Sequence, residues 1–294
     1  MIGKKMSLPG VVFTDTSAPK VKLYDKLESD GSLFLMDVGS PLGSFSGVPL
    51  AGGLIPNILA PISRGVIGAS SSATLSGVVA TTGNLAGQFL VERSAKGGVH
   101  GIISQTSQVA SCNMIFSLPS EIRDYIYSKR VTNSFYISSW SKITRATLSS
   151  PAPQSHFDFA ASTTNLMFIT PAGPFNPEPG SIGLGRKISP AASDTAVSVP
   201  VDRFVSGGVH GITGTGSNAT DNVRFGLGTF GPWASFNTNK APSRIEYRFY
   251  VEDLTVSGRT YAEVEALDFA LFQEAFAVGG KFYGDTYTAP STLP

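Results

Sequence analysis

The chain has 294 residues with a formal net charge of +1, and 41% of them are hydrophobic against 15% charged. That balance supplies a sizeable apolar core, excludes a disordered polyelectrolyte, and leaves no electrostatic case for nucleic acid or an anionic membrane. The 32 glycines and 19 prolines predict many turns and few long helices.

Cys112 is the only cysteine, so no intrachain disulfide forms; beside Met114, Ile115 and Phe116 it reads as a small buried hydrophobe on a strand. No apolar run reaches the ~18 residues of a membrane span. Lys4 and Lys5 are followed by Pro9 and Gly10 rather than by an apolar segment, so no signal peptide is read and folding in a cytoplasm is expected.

Residues 1–65 are interrupted by Pro9, Pro19, Pro41, Pro49, Pro56 and Pro61. Proline removes backbone donors and biases the preceding residue toward extended conformations, so this region predicts an extended N-terminal attachment arm with one or two short strands. Its apolar pieces, such as Leu33-Phe34-Leu35-Met36, would pack either on a partner subunit or on the chain's own body. Residues 66–294 are then the body. Ser70–Thr74 and Val78–Thr82 read as a strand pair with small side chains. Gln88–Arg93 and Val99–Ile103 read as strands around a Gly97-Gly98 hairpin, and Met114, Phe116 and Leu118 alternate as on a half-buried strand. Pro119 opens a short helix carrying Ile122, Tyr125 and Ile126, and Phe135–Trp140 is an aromatic, β-branched strand. Residues 148–200 are proline-broken loops around a strand at 166–169. Farther on, Ile245, Tyr247, Phe249 and Val251 alternate onto one face of a strand. Thr260-Tyr261-Ala262-Glu263 is a capping box. It opens a helix over about 261–277 with an apolar stripe of Val264, Leu267, Leu271 and Ala275, stopped by Gly279-Gly280. The tail from Lys281 is expected to be extended.

One stretch occurs twice. Val91-Glu92-Arg93 precedes Gly97-Gly98-Val99-His100-Gly101-Ile102 by three residues, and Val201-Asp202-Arg203 precedes Gly207-Gly208-Val209-His210-Gly211-Ile212 by the same three. Downstream, Asn113–Leu118 matches Asn222–Leu227, and Phe135-Tyr136-Ile137 matches Phe249-Tyr250-Val251. An arginine follows each of the latter by eight residues, Arg145 and Arg259. This predicts an internal duplication, with copies at about 91–150 and 201–265. The fold class expected is mainly β: an antiparallel, jelly-roll-like β-sandwich with an N-terminal arm and one C-terminal helix.

Candidate chemistry is sparse. His100 and His210 occupy equivalent positions near Glu92 and Asp202, and across a pseudo-twofold they could face one another. The alternative is that each histidine bonds a loop carbonyl, since metal sites need ~three or more ligands in readable clusters. Arg93, Arg203, Arg145 and Arg259 read as structural ion pairs or turn holders. Glu252, Asp253 and Asp268 are acids with no stated convergence. Gly180–Gly185 lacks the Lys and Ser/Thr of a phosphate loop, because Arg186 and Lys187 stand there. No nucleophile, zinc or calcium motif is found, so no metal, cofactor or enzymatic reaction is expected. Trp233 in its Gly-Pro-Trp turn, Phe175 in a loop and Tyr127 are the candidate ring surfaces for a glycan, while Trp140 reads as core.

Asn113–Pro119, Ser134–Trp140 and Tyr250–Tyr261 resemble segments of tailed-bacteriophage virion proteins of the tail, baseplate and fibre systems. Those carry a concanavalin-like or laminin-G-like jelly roll attached through an N-terminal arm. The resemblance spans roughly residues 90 to 290. It implies a non-enzymatic tail, tail-tip or fibre protein and assembly into homo-oligomers, with trimers suggested. It also implies docking to other virion proteins through the arm, contact with a host surface glycan, and no membrane insertion. A lectin-like carbohydrate-binding module and a capsid decoration protein are the alternatives.

Overall fold

The computed structural model describes residues 25–43, 45–83, 86–108, 111–148, 157–159, 167–169, 182–191, 197–211, 223–230 and 237–294. The fold is mainly β, an antiparallel sandwich of two sheets. Strands β1 (Ser32–Asp37), β4 (Phe89–Arg93), β5 (Val99–Ile103), β7 (Ser134–Arg145), β10 (Ile182–Ser189), β11 (Val201–His210) and β13 (Ser243–Asp253) make a seven-stranded sheet. Its order is β10-β11-β7-β13-β5-β4, with β1 also on β13. β5 pairs with the start of β13 and β1 with its later half, so both share one edge of that strand. The second sheet contains β2 (Leu54–Ile55), β3 (Gly77–Thr82), β6 (Asn113–Ser117), β12 (Val223–Gly228), β8 (Phe157–Phe159) and β9 (Met167–Ile169), in the order β2-β3-β6-β12-β8-β9.

Aromatic stacking fastens the sheets face to face. Phe225 lies 4.1 Å from Phe249 across the gap and 4.8 Å from Phe116, its registered partner on β6. Stacked pairs of this kind add about 0.5–1.5 kcal/mol beyond the area they bury. The other face of the seven-stranded sheet is covered by α4 (Tyr261–Phe276), which lays Phe272 edge-on to Trp140 and Phe269 against Phe204. A sheet covered on both faces cannot alternate apolar with exposed polar residues, and all of β13 is buried.

The Thr260–Glu263 capping box forms, Gly279 takes a positive φ, and the helix ends at Phe276. The buried face of α4 is Val264, Asp268, Phe272 and Ala275, while Leu267 and Leu271 lie at the edge of a smaller cluster. α2 (Ser120–Lys129) follows Pro119 as expected and buries Ile122, Ile126 and Tyr127. Among the described residues, no helix is long and apolar enough to cross a membrane.

Three expectations are corrected. Residues 25–65 pack on the chain's own body, one of the two placements expected, rather than extending as an arm: the expected short strand is β1, every residue of which is buried in the sheet, and 60–67 form an unexpected helix, α1 (Ala60–Ile67). Pro61 sits in the first turn of α1, where no backbone donor is needed, and Gly68 closes the helix in the left-handed conformation. Asn57 locks this segment down, accepting from the Leu35 and Leu59 N–H groups and donating to the Leu33 carbonyl. Second, no strand forms at 70–74, and β3 pairs with β2 and β6 instead. Third, Tyr247 and Phe249 do not share a face. A bulge between Glu246 and Arg248 turns Tyr247 toward Phe276 and Phe282 on the helix side, while Phe249 meets Phe225 in the sandwich.

The matched stretches fall at related places. β6 pairs antiparallel with β12, and β7 with β13, at the centres of their sheets. Their glycine stretches differ: Gly97-Gly98 forms the turn between β4 and β5, whereas Gly207-Gly208 lies inside the unbroken strand β11. Close packing explains the second pair. A Cβ on Gly208 would stand 2.6 Å from the Tyr261 ring, and one on Gly185, across the β10–β11 ladder, 2.3 Å from it. Gly208→Ala is therefore expected to cost about 1–3 kcal/mol, read as a lower urea midpoint at unchanged slope. The loss should shrink in a Tyr261→Ala background; equal losses in both backgrounds would show that the ring is not the obstacle.

Candidate functional site

A cavity of about 560 Å³ opens where the end of α4 meets the seven-stranded sheet. Its charged wall comes from strand register. Trp140 on β7 and Asp37 on β1 are the registered neighbours of Arg248 on its two sides. The guanidinium lies 4.6 Å from the centre of the Trp140 ring and donates to Asp37 at 2.6 Å. It forks onto both oxygens of Asp25, at 2.7 and 2.8 Å. Bidentate geometry of this kind is among the stronger charge-assisted arrangements. The turn after α4 brings up Lys281, whose ammonium contacts Asp37 and lies 5.6 Å from the Trp140 ring. Gly280 makes that turn possible, since a Cβ there would stand 2.3 Å from the Glu274 carbonyl oxygen. Leu271, Ala275 and Val278 form the apolar wall, and a Lys26–Glu274 ion pair of 3.0 Å spans the exposed rim.

Protonation follows from these contacts. Burial pushes the Asp25 carboxyl up, but Arg248 more than reverses this and leaves it below the usual carboxylate value. Burial works against the Arg248 charge too, yet its carboxylate partners raise its pKa overall. Burial lowers Lys281, and Asp37 offsets only part of that. Below the cavity, Asp268 is buried and accepts from the Tyr136 hydroxyl at 2.8 Å and the Trp140 indole N–H at 3.0 Å. Desolvation raises its pKa, with Arg248 pulling the other way.

A second polar cluster lies toward the far edge of the same sheet. His100 on β5 is fully buried, with Nδ1 2.8 Å from Glu92 and Nε2 2.9 Å from the Thr144 hydroxyl. Burial pushes its pKa down and Glu92 only partly restores it, so the ring is neutral near pH 7. A neutral ring facing a carboxylate keeps its proton on Nδ1, and Nε2 then accepts from Thr144. This is the connectivity of a hydroxyl–imidazole–carboxylate relay, but the C-terminal segment closes it. The Tyr287 ring sits 5.0 Å from His100, Thr288 N–H donates to Glu92 at 2.7 Å, and Arg145 donates to the carbonyls of Pro290 and Leu293.

The residues singled out from sequence separate. His210, at the end of β11, is 3.1 Å from Ser134 and does not meet His100, because β7 and β13 stand between their strands. Arg93 lies over the Phe45 ring, Arg203 contacts the Pro190 carbonyl, and Asp202 pairs with Lys142 at 2.7 Å. Arg259 is held by Glu252, and Asp253 caps a short helix, α3 (Leu254–Ser257). Tyr127 is only 5% exposed and belongs to the core, which removes it as a glycan surface. Trp140 is core as expected, and Cys112 is buried with its thiol toward the Gly83 carbonyl. Trp233 and Phe175 lie outside the described residues. The cavity residues Asp25, Asp37, Arg248 and Lys281 were missed. Their signal was an arginine inside the aromatic run of β13, which alternation alone assigns to solvent.

Inside the sandwich, Glu246 is fully buried 3.0 Å from Arg244 and accepts from Ser139 at 3.0 Å. Burial pushes its carboxyl up to about 7 despite Arg244.

Breaking the Asp37–Arg248 pair with Asp37→Asn is expected to cost about 3–5 kcal/mol, read by urea unfolding, and the triple variant Asp25→Leu, Asp37→Leu, Arg248→Met, which leaves no carboxylate of the group without its guanidinium, to recover most of it. A triple variant no better than the single one would show that the ionic group is not the unit. The buried titrating groups give opposite pH slopes. His100 has a folded pKa below its free value of 6.5, so its contribution is lost as pH falls below that value. Glu246 has a folded pKa near 7 against 4.5 when free, so its contribution is fullest below 4.5 and is lost as pH rises through 7. His100→Gln and Glu246→Gln should therefore tilt the stability–pH curve in opposite senses between about pH 5 and 7; a shared sense would refute one assignment.

Comparison with family models, curated proteins and solved structures returned no match.

Proposed function

We propose that the chain is a structural protein of a tailed-phage virion, in the tail, tail-tip or fibre system. It would assemble as several copies and present a rigid sandwich to neighbouring subunits and to a host surface. The observation that carries this reading is where the charged and polar side chains are used. Arg248 ties Asp25, before β1, to the middle of β13, and Lys281 ties the segment after α4 to the end of β1. Glu92, Ser104 and Arg145 hold the last residues of the chain against the sheet. Segments far apart in sequence are thus cross-linked into one stiff body. The hydroxyl–imidazole–carboxylate relay serves the same end, with its ring covered by Tyr287.

Surface chemistry supports association. On the second sheet, Leu54 and Val78 are registered partners and both exposed, with Leu50 also exposed nearby in the chain. Apolar side chains gathered on an open sheet face favour contact with another protein. The resemblance of residues 90–290 to virion proteins points the same way.

Two measurements test the reading together. Sedimentation of the purified chain should give a multiple of 30.8 kDa, and gold-labelled antibody should mark the tails of phage particles released by cells that encode it. A strict monomer with unlabelled particles, or turnover of a polysaccharide by the pure protein, would overturn it.

A further inference from the structure

We propose that the free edge of β4 is a docking site for an extended segment of another protein, which adds to the seven-stranded sheet as an antiparallel strand with an acidic residue opposite Arg93 and apolar residues opposite Val91 and Phe89. The inference goes beyond the assembly reading and holds whatever particle or complex the chain belongs to.

β4 is the last strand on its side of the sheet. Two bonds fix which of its backbone groups face β5. Ser94 N–H donates to the Gly98 carbonyl at 2.9 Å, and Ser104 N–H to the Gln88 carbonyl at 2.8 Å. Bonding alternates along an antiparallel ladder, so Leu90 and Glu92 also turn their N–H and carbonyl groups toward β5. Phe89, Val91 and Arg93 turn theirs outward, where no backbone group of a described residue bonds them. Open edges are commonly blunted by proline or by a bulge. β4 contains no proline, and its register with β5 runs without a shift.

The same alternation sets the side chains. Phe89 and Val91 line a cavity of about 420 Å³ with Thr81 on β3 and Met114 on β6, walled by Val48 and Leu50. Arg93, on the same face of β4, is partly exposed and lies 4.2 Å from the centre of the Phe45 ring. No hydrogen bond or ion pair reaches its guanidinium from the described residues, and Nη1 is buried without a partner. Burial lowers its pKa with no carboxylate to offset that. The neighbouring acid, Glu92, points to the other face and is spent on His100 and Thr288. An open ladder, an apolar recess and an unanswered cation thus stand in register on one strand. An added antiparallel strand places each side chain beside the one opposite it, and an opposite charge across the ladder is favourable. Such a strand runs from Arg93 toward Phe89, so from its N-terminus it reads as an acid followed by apolar residues at the next two alternate positions.

That order selects the occupant. In a symmetric pair of β4 strands from two copies, centred on Val91, Arg93 would meet Phe89 and remain without a carboxylate. Residues Val11-Val12-Phe13-Thr14-Asp15 carry the acid last, so they match only as a parallel strand, the less stable pairing. A segment of another protein with the acid first meets both demands.

The test uses the full chain and a short peptide blocked at both ends, Lys-Asp-Thr-Val-Thr-Ile-Lys, with binding read by fluorescence anisotropy and by amide hydrogen exchange in NMR. In the free chain the Phe89 and Val91 amides should exchange faster than those of Leu90 and Glu92, and the peptide should slow them. Methylating the backbone nitrogen of the peptide's Val, which faces Val91, should weaken binding by at least about tenfold, while methylating that of its first Thr, which faces away, should leave it unchanged. Replacing the peptide's Asp by Asn should weaken binding about tenfold in the unaltered chain and not in Arg93→Met. The peptide of reversed order should bind more weakly than the parent. No binding of the parent peptide, equal binding of the two methylated peptides or of the reversed one, or an Asp-to-Asn loss that survives Arg93→Met would each overturn the proposal. So would slow exchange of Phe89 and Val91 in the free chain, which would show the edge already covered by the chain itself or by a second copy. Sedimentation and particle labelling do not enter these results, so the two readings fail separately.

Discussion

A guanidinium placed in the middle of a sheet and then covered by a helix has to be neutralised where it stands. Arg248 meets that demand with two carboxylates and an indole face, and the demand organises its surroundings. Asp37 arrives because β1 joins the edge of β13, and Asp25 because the chain before β1 folds back over the guanidinium. Leaving such a charge unpaired would cost several kcal/mol. The stretch from Asp25 to β1 is therefore held by the core.

The same demand explains the layering. α4 covers the face that carries Trp140, Tyr136, Arg248 and Tyr250, whose polar atoms would otherwise meet water. It brings its own acceptor, Asp268, for two of them. On the opposite face, Arg244 and Glu246 sit between the sheets, and Arg244 reaches the Gly226 carbonyl on β12. Each face of the seven-stranded sheet thus combines an aromatic core with a buried ionic group. Such groups add little net stability but penalise any register that separates them.

Much of the architecture was legible in the sequence. The capping box at Thr260, the double-glycine stop, the strand at 134–140 and the short helix after Pro119 follow from local rules that tertiary context did not overturn. The failures have physical causes. Pro61 was read as a breaker, but at the first turn of a helix it is a starter. Alternation on β13 failed because one bulge shifts the phase, and because both faces of a covered sheet are buried. The cavity was invisible because its residues lie far apart in sequence and converge only through strand register. His100 and His210 look equivalent in sequence, yet only His100 has a carboxylate across a hairpin turn, since β11 runs straight where β4 and β5 fold back.

β13 stands at the heart of its sheet, with β7 on one side and both β5 and β1 on the other, although it begins at Ser243. During vectorial synthesis β1, β5 and β7 therefore leave the ribosome before the strand that joins them exists. β1 and β5 must wait with open edges, and the ionic knot around Asp37 closes only once Arg248 and then Lys281 emerge. Maturation of this body is gated by the stretch from Ser243 to Lys281. Until then the nascent chain depends on whatever keeps waiting strands from pairing with one another on a crowded polysome.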